Sequence, residues 1–375
     1  MDVVLRLVFE RLDERSLAFA GFVCRRWNQI AAGILAQFSP QLMAHGSTAG
    51  PLKMALLNYL TGARQLQLAV DQFPHPGRGY RESVLEYIVT NNIEVDLSLG
   101  TRDDRTLETL RRASAKVGVI GSFKKMHNKI WVIDEEGVIL GSPNVSFSAL
   151  EGGNIESFIH ISSPRVGALV GKYLNLLKHW DNAELREEVR DEMAAYNAER
   201  HDLRLAVAPI FNITDFVIKE LTGATRIIIR QFLISPKQQH ETGPDIIGVL
   251  CAMARNNVAI EIYLDEAAYT SHKTGYFVKR AAATLTRAGC KVYTQKPVLV
   301  VNVGAEKIQH DKLILAEFHK GVQRTLIGSA GFTRDVICNN NAENFIATDS
   351  KAIFASMMTH HNATLSAEVA TTLRR

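Results

Sequence analysis

Residues 127–134 read His-Asn-Lys-Ile-Trp-Val-Ile-Asp, and Gly141-Ser142-Pro143-Asn144 follows closely. A second stretch opens with His310-Asp311-Lys312 and is followed by Gly328-Ser329. On a strand, residues two apart share a face, so His127 and Lys129 project together while Asn128 points away. His310 and Lys312 do the same around Asp311, and each copy offers one imidazole beside one ammonium group.

The two copies belong to a longer repeat. At an offset of 187, Asn154 falls on Asn341, Glu156 on Glu343, Phe158 on Phe345 and Ile159 on Ile346. Upstream the offset is 183 and places His127 on His310, Lys129 on Lys312 and Asp134 on Glu317. The slip fits the polar stretch Phe318 to Gln323, read as a longer turn. In the second half Arg226 to Ile234 reads as a buried strand, Asp245 to Asn256 as a helix, Val258 to Leu264 as an alternating strand and Tyr276 to Gly289 as a helix. The first half echoes this with strands at Gln65 to Val70 and Ile93 to Leu99 and helices at Glu82 to Thr90 and Asp104 to Ala113. That order predicts an α/β fold with a mainly parallel sheet per half, flanked by helices. Between the halves, Ala168 to Asn197 is helical in pattern and ends in a charged run, which reads as a solvated connector.

With 375 residues, 46% hydrophobic and 22% charged, the chain has room for two domains or one duplicated unit, and collagen, coiled coil and wholesale disorder are excluded. The formal charge of +4 is spread along the chain, so it demands neither nucleic acid nor anionic lipid. Cys24, Cys251, Cys290 and Cys338 form no C-x-x-C pair, which reads as reduced thiols and no zinc site. No apolar run reaches the about 18 residues a spanning helix needs, and Ser16 to Cys24 follows Asp13 and Glu14 rather than a basic region; a soluble chain without a signal peptide is expected.

Two H-x-K motifs in register with Gly-Ser and Asn-x-Glu resemble the phospholipase D superfamily of phosphodiesterases, over roughly residues 55 to 350. The resemblance implies two pseudo-symmetric α/β/α halves that bring both imidazoles and both ammonium groups to one cleft. One imidazole then attacks phosphorus to give a phosphohistidine, and the other protonates the leaving oxygen and later deprotonates water or an alcohol. No metal or other cofactor is called for. Lys129, Lys312, Ser142, Ser329 and Asn144 are expected to hold the phosphate oxygens, although the counterpart of Asn144 is Gly331. A buried carboxylate should steady each His: by the resemblance Glu156 is assigned to His127 and Glu343 to His310, with Asp134 and Glu317 supporting the motif loops. Glu317 stands where the family carries Asp. His127 is taken as nucleophile and His310 as general acid. Trp131 is expected to pack in the motif strand; His160, His179, His240, His272 and His319 have no matched partners. Loops around Phe73 to Tyr80 and Ala267 to Tyr276 should rim the cleft.

The first fifty residues fit neither repeat. Val4, Leu5, Val8, Phe9 and Leu12 form one apolar helical stripe, and Leu17, Phe19, Ala20, Val23 and Trp27 begin another, as in a helical hairpin. Phe9, Leu12-Asp13, Leu17, Val23-Cys24-Arg25-Arg26-Trp27 and Ile30-Ala31 resemble the F-box, a small all-α module that docks on the Skp-type adaptor of cullin ubiquitin ligases. The usual leading Leu-Pro is absent. The resemblance implies partner contacts through Phe9, Leu12, Leu17 and Trp27, and work in a eukaryotic cytoplasm, native or after delivery by a bacterium or virus.

The expected organisation is an F-box-like module at 1–45, a first repeat with connecting helix at 46–200 and a second repeat at 201–375. With both motifs in one chain, a monomer is expected. The leading expectation is cleavage or transfer of phospholipid head-group esters, with peripheral membrane contact. A two-motif nuclease that binds nucleic acid is the runner-up, and a ubiquitin-ligase adaptor with the repeated domain as client binder is the reading from another class.

Overall fold

In a computed structural model the described residues are 40–47, 52–71, 84–99, 108, 116–119, 125–150, 154–199, 202–237, 243–296, 308–333, 336, 341–367 and 369–372. Phe9, Leu12, Leu17 and Trp27, the loop Phe73 to Tyr80 and all of the expected helix over Asp104 to Ala113 except Glu108 lie outside them.

The first half contains β1 (Gln41–Gly46), α1 (Leu52–Leu60), β2 (Gln65–Val70), α2 (Val84–Thr90), β3 (Glu94–Leu99), β4 (Lys116–Val119), β5 (Lys125–Met126), β6 (Lys129–Ile133), β7 (Gly137–Gly141), α3 (Phe147–Leu150), β8 (Ser157–Ser162), α4 (Pro164–Lys178) and α5 (Ala183–Ala198). The second contains β9 (Leu203–Ala208), α6 (Ile213–Leu221), β10 (Ala224–Gln231), α7 (Ile246–Arg255), β11 (Ala259–Asp265), α8 (Glu266–Thr270), α9 (Gly275–Ala288), β12 (Lys291–Lys296), β13 (Lys312–Phe318), β14 (Gln323–Gly328), β15 (Asn341–Thr348), α10 (Lys351–Ala367) and β16 (Val369–Thr372).

The sheet orders are β1-β8-β7-β6-β2-β3-β4 and β16-β12-β11-β10-β13-β14-β15-β5, with β9 also on β15. The expected mainly parallel sheets are therefore mixed. β2, β3 and β4 are parallel, as are β10, β11 and β12, because helical crossovers join them. The motif strands β6, β7, β8 and β13, β14, β15 run antiparallel through short turns. β1 pairs antiparallel with β8 just as β9 pairs with β15, so the first repeat starts by Gln41, inside the segment assigned to the N-terminal module.

The glycine of each Gly-Ser pair is fixed by close strand approach. A Cβ on Gly141 would stand 2.4 Å from the Ser157 carbonyl oxygen, and one on Gly328 2.2 Å from that of Asn344. The slip between the repeats is housed as expected, in the turn His319–Gly321 between β13 and β14, where Lys320 and Gly321 take positive φ.

The connector is two helices, each opened by a side-chain cap. Ser163 accepts from the Val166 N–H before Pro164, and Asn182 accepts from the Leu185 N–H. α4 is not a solvated spacer, since Val166, Leu169, Val170, Tyr173, Leu174, Leu176 and Leu177 are buried in a core that includes residues of both halves. On the outer faces, α1 and α2 cover β2, β3 and β6, and α6, α7 and α9 cover β10, β11 and β13. Trp131 is in the first of these outer cores, and Cys251 and Cys290 are buried and free. Among the described residues no helix is long and apolar enough to cross a membrane.

Candidate active site

The two halves meet through the strands that carry the site. β5 pairs parallel with β15, and the His127 N–H donates 2.9 Å to the Ala342 carbonyl. In return Ile155 bridges Gln309, and the His310 N–H donates 3.0 Å to the Ile155 carbonyl. Each motif histidine thus enters on backbone of the opposite half, next to that half's Asn-x-Glu.

This crossing corrects the expected pairing of carboxylates. Glu343, not Glu156, lies on His127, at 2.9 Å from Nδ1. Glu156, not Glu343, lies on His310, with both oxygens at 2.9 and 3.0 Å from Nδ1. The physical reason is strand order: within one sheet β7 separates β6 from β8, which puts a half's own Glu two strand spacings, about 10 Å, from its His. The facing half supplies its Glu strand as the immediate neighbour.

Each imidazole keeps a side-chain exposure of 15% (His127) or 12% (His310), while their carboxylates are at 1% and 0%, so the rings and not the acids face solvent. With Nδ1 on a carboxylate, the proton sits on Nδ1 and Nε2 is presented outward. Burial pushes the His127 pKa down to about 4, Glu343 opposing and Lys129 assisting. Burial also lowers His310, against the pull of Glu156. Both carboxylates sit below their usual range despite burial, because an imidazole and a lysine face each of them.

Lys129 and Lys312 are buried, and each Nζ donates to the carbonyl of the histidine two residues before it, at 2.7 and 2.6 Å. Burial lowers Lys129 to about 7, with Glu343 opposing. An ammonium group held in a dry site gains from an anion placed against it, which suits both lysines to a phosphate.

The serines differ. Ser329 Oγ donates 2.6 Å to Glu343 Oε2, the same oxygen that faces His127, whereas Ser142 Oγ donates 3.2 Å to the Ser157 carbonyl and also helps hold Glu156 below its usual range. Asn144 is half-buried, and its Oδ1 has no hydrogen-bond partner. Opposite, where Gly331 has no side chain, the unpartnered Gln231 Oε1 lies 3.9 Å from where a Cβ would stand.

Asp134 and Glu317, expected to support the motif loops, lie at the far ends of the strands that lead away from the histidines. Asp134 Oδ1 accepts from the backbone N–H groups of Arg64 and Gln65 at 2.9 and 2.7 Å. Glu317 pairs with Arg226 at 3.3 Å on the surface. Both hold the scaffold rather than touch the cleft.

Several contributors were not singled out as site residues. Asn154 and Asn341 donate to Glu156 and Glu343 at 3.2 and 3.3 Å, and their alignment one position from each Glu's neighbour was the readable signal. Phe232, just past β10, sets its ring 5.4 Å from that of His310 and 5.9 Å from Lys312 Nζ. Asp71, just past β2, is buried near Lys129 and opposes the fall of its pKa. Of the histidines without matched partners, His160 stacks on Tyr59 at 3.9 Å. Among the described residues, no group of three or more His, Cys, Asp or Glu is arranged to hold a metal ion.

Two family descriptions match the sequence. "Cardiolipin synthase, PLD-like domain" matches residues 82–180 and 217–364, more than half of the chain, and "F-box domain" matches residues 2–33. The chain belongs to the phospholipase D-like family. Among solved structures, phosphatidylserine synthase from Haemophilus influenzae Rd KW20 is similar at a TM-score of 0.62 and 12% identity, over 88% of this chain and 87% of that one. Polyphosphate kinase from Porphyromonas gingivalis gives 0.54 at 12% identity over 85% of this chain, which spans only 46% of the kinase. The phospholipase D family member Nuc from Salmonella typhimurium, at 22% identity and a TM-score of 0.35, aligns over 98% of its own length and 46% of this chain. A search of curated proteins gave no match. The two segments of the family match fall one in each half, and each contains one of the paired histidines.

Proposed function

We propose that the chain is a phospholipase D-type phosphodiesterase acting on phospholipid head-group esters, by hydrolysis or by phosphatidyl transfer to an alcohol. One observation carries this reading: two imidazoles, one per half, each with Nδ1 on a buried carboxylate of the other half. His127 Nε2 attacks phosphorus, the bond from phosphorus to the leaving oxygen breaks, and His310 Nε2–H gives its proton to that oxygen. Water or an alcohol then attacks the phosphohistidine, its proton passes to His310, and the P–N bond breaks to restore His127. Two histidines supply nucleophile and proton, so the cycle needs no metal. Lys129 and Lys312 neutralise the non-bridging oxygens throughout.

The way the carboxylates are shared supports this division of roles. Glu156 gives both oxygens to His310, which favours the protonated ring. Glu343 is divided between His127 and Ser329, which favours a neutral, nucleophilic ring. The test is a panel of phospholipids with single-stranded and duplex nucleic acid, run beside the double-His variant and with EDTA. Turnover of lipid that is lost in the variant and indifferent to chelator supports the reading; cleavage of nucleic acid alone would make the chain a nuclease.

The F-box match over residues 2–33 favours a second, compatible reading, in which this module recruits a Skp-type adaptor and so a ubiquitin ligase. Pull-down of adaptor by the full chain, lost on Leu12→Asp, checks it; capture unaffected by that change would remove it.

A further inference from the structure

The end of the second sheet that carries His310 also presents a surface outside the catalytic set. β11 ends at Asp265, whose Oδ2 accepts 2.8 Å from the N–H of Gln309, the residue before His310. Its Oδ1 caps α8 through the Ala268 N–H at 2.8 Å. The chain then turns into α9, whose first turn exposes Tyr276 at 67% and Phe277 at 40%, their rings edge to face at 5.4 Å. His272, Lys273, Lys279 and Arg280 are exposed around this pair. From Ala267 to Lys291 the sequence holds five Lys and Arg and no Asp or Glu, more positive charge than the +4 of the whole chain. The preceding acid, Glu266, is half-buried at the start of α8.

Two adjacent aromatic side chains left in water, with exposed Lys273, Lys279 and Arg280 within four residues of them along the chain, match the anatomy of an interfacial contact. Aromatic rings settle at the headgroup level, and Lys and Arg reach lipid phosphates. We infer that the α8–α9 face docks on an anionic phospholipid surface, with Tyr276 and Phe277 entering the headgroup boundary and Lys273, Lys279 and Arg280 on its phosphates. The inference extends the lipid reading of the active site and is tested separately from it.

The experiment sediments the full chain with vesicles of phosphatidylcholine alone or mixed with phosphatidylglycerol, at low and high salt. Turnover of soluble bis(p-nitrophenyl) phosphate is measured alongside. Binding should require phosphatidylglycerol and weaken with salt. It should fall at least about tenfold in Tyr276→Ser/Phe277→Ser and in Lys273→Glu/Lys279→Glu/Arg280→Glu, while soluble turnover is kept. Equal binding to both vesicles, or unchanged binding in both variants, would overturn the inference. So would tighter binding of a single-stranded oligonucleotide that the same substitutions abolish. Soluble turnover that survives His127→Ala would sink the catalytic reading alone and leave this one standing.

Discussion

The two motif strands present the same groups to the cleft and rest on different supports. In the first half Asn128 points away from the site and donates 2.7 Å to the Tyr173 hydroxyl, which donates 2.7 Å to the Ala208 carbonyl; Asn344 donates 3.2 Å to Asn128 Oδ1. In the second half the same position is Asp311, paired with His360 at 2.8 Å and with Arg230 at 3.3 Å, all buried. One motif lies on a neutral hydrogen-bonded network and the other on a charged one. A duplicated site constrains the residues that face substrate; what stands behind them only has to be satisfied.

The sharpest way to separate the halves is to remove each imidazole. His127→Ala and His310→Ala should each lower turnover by about 10⁴-fold or more on a lipid substrate. On an ester whose leaving group needs no proton, such as a nitrophenolate, His310→Ala should recover much of the rate of the first step, read as a burst of nitrophenolate, and His127→Ala none. Equal recovery in both variants would erase the assigned difference in roles.

Next come the supports. Asp311→Asn leaves Arg230 buried without its counter-charge, and denaturant unfolding should show a loss of about 3–5 kcal/mol. Asn128→Asp brings a carboxylate into a network with no basic member, and a loss of similar size is expected. If the two exchanges are each near neutral, the supports are interchangeable and the contrast fails.

The crossed carboxylates set the pH profile. The cycle needs His127 neutral and His310 protonated, and both rings titrate below the ordinary 6.5. Rate should fall as pH drops through the His127 value, about 4, and fall again as pH rises through the lowered His310 value, which gives an acidic optimum. Glu343 raises His127, so Glu343→Gln should move the acid limb to lower pH. Glu156 raises His310, so Glu156→Gln should move only the alkaline limb, also to lower pH. Limbs that respond the other way round would restore the within-half pairing.

The smallest effect separates the distal acids. Asp134→Asn weakens two backbone hydrogen bonds and should cost about 1 kcal/mol of stability, while Glu317→Gln, in an exposed pair, should cost under about 0.5 kcal/mol. Neither should change turnover by more than its loss of folded protein.

Much of this was legible because the cleft-facing groups repeat at fixed offsets: His127 with His310, Lys129 with Lys312, and Gly-Ser with Gly-Ser. The strands Gln65–Val70 and Glu94–Leu99 and the helices Ile246–Arg255 and Gly275–Ala288 followed from periodicity within about two residues. Which Glu serves which His was not legible, because it depends on how two distant segments dock. The place of β1 was hidden for a similar reason, since an edge strand signals little until its partner β8 is known. The charged tail of the 168–197 stretch masked the apolar stripe of α4, which is core. Asn128 and Asp311 looked like spacers because the strand pattern says only that they face away from the site.

The most direct measurement of the central claim is a rapid denaturing quench of the enzyme with phosphorus-labelled substrate, followed by mapping of the labelled peptide. The account predicts label on His127, accumulating further in His310→Ala when a good leaving group allows the first step. Label on Ser142, on His310 or on no residue at all would contradict it.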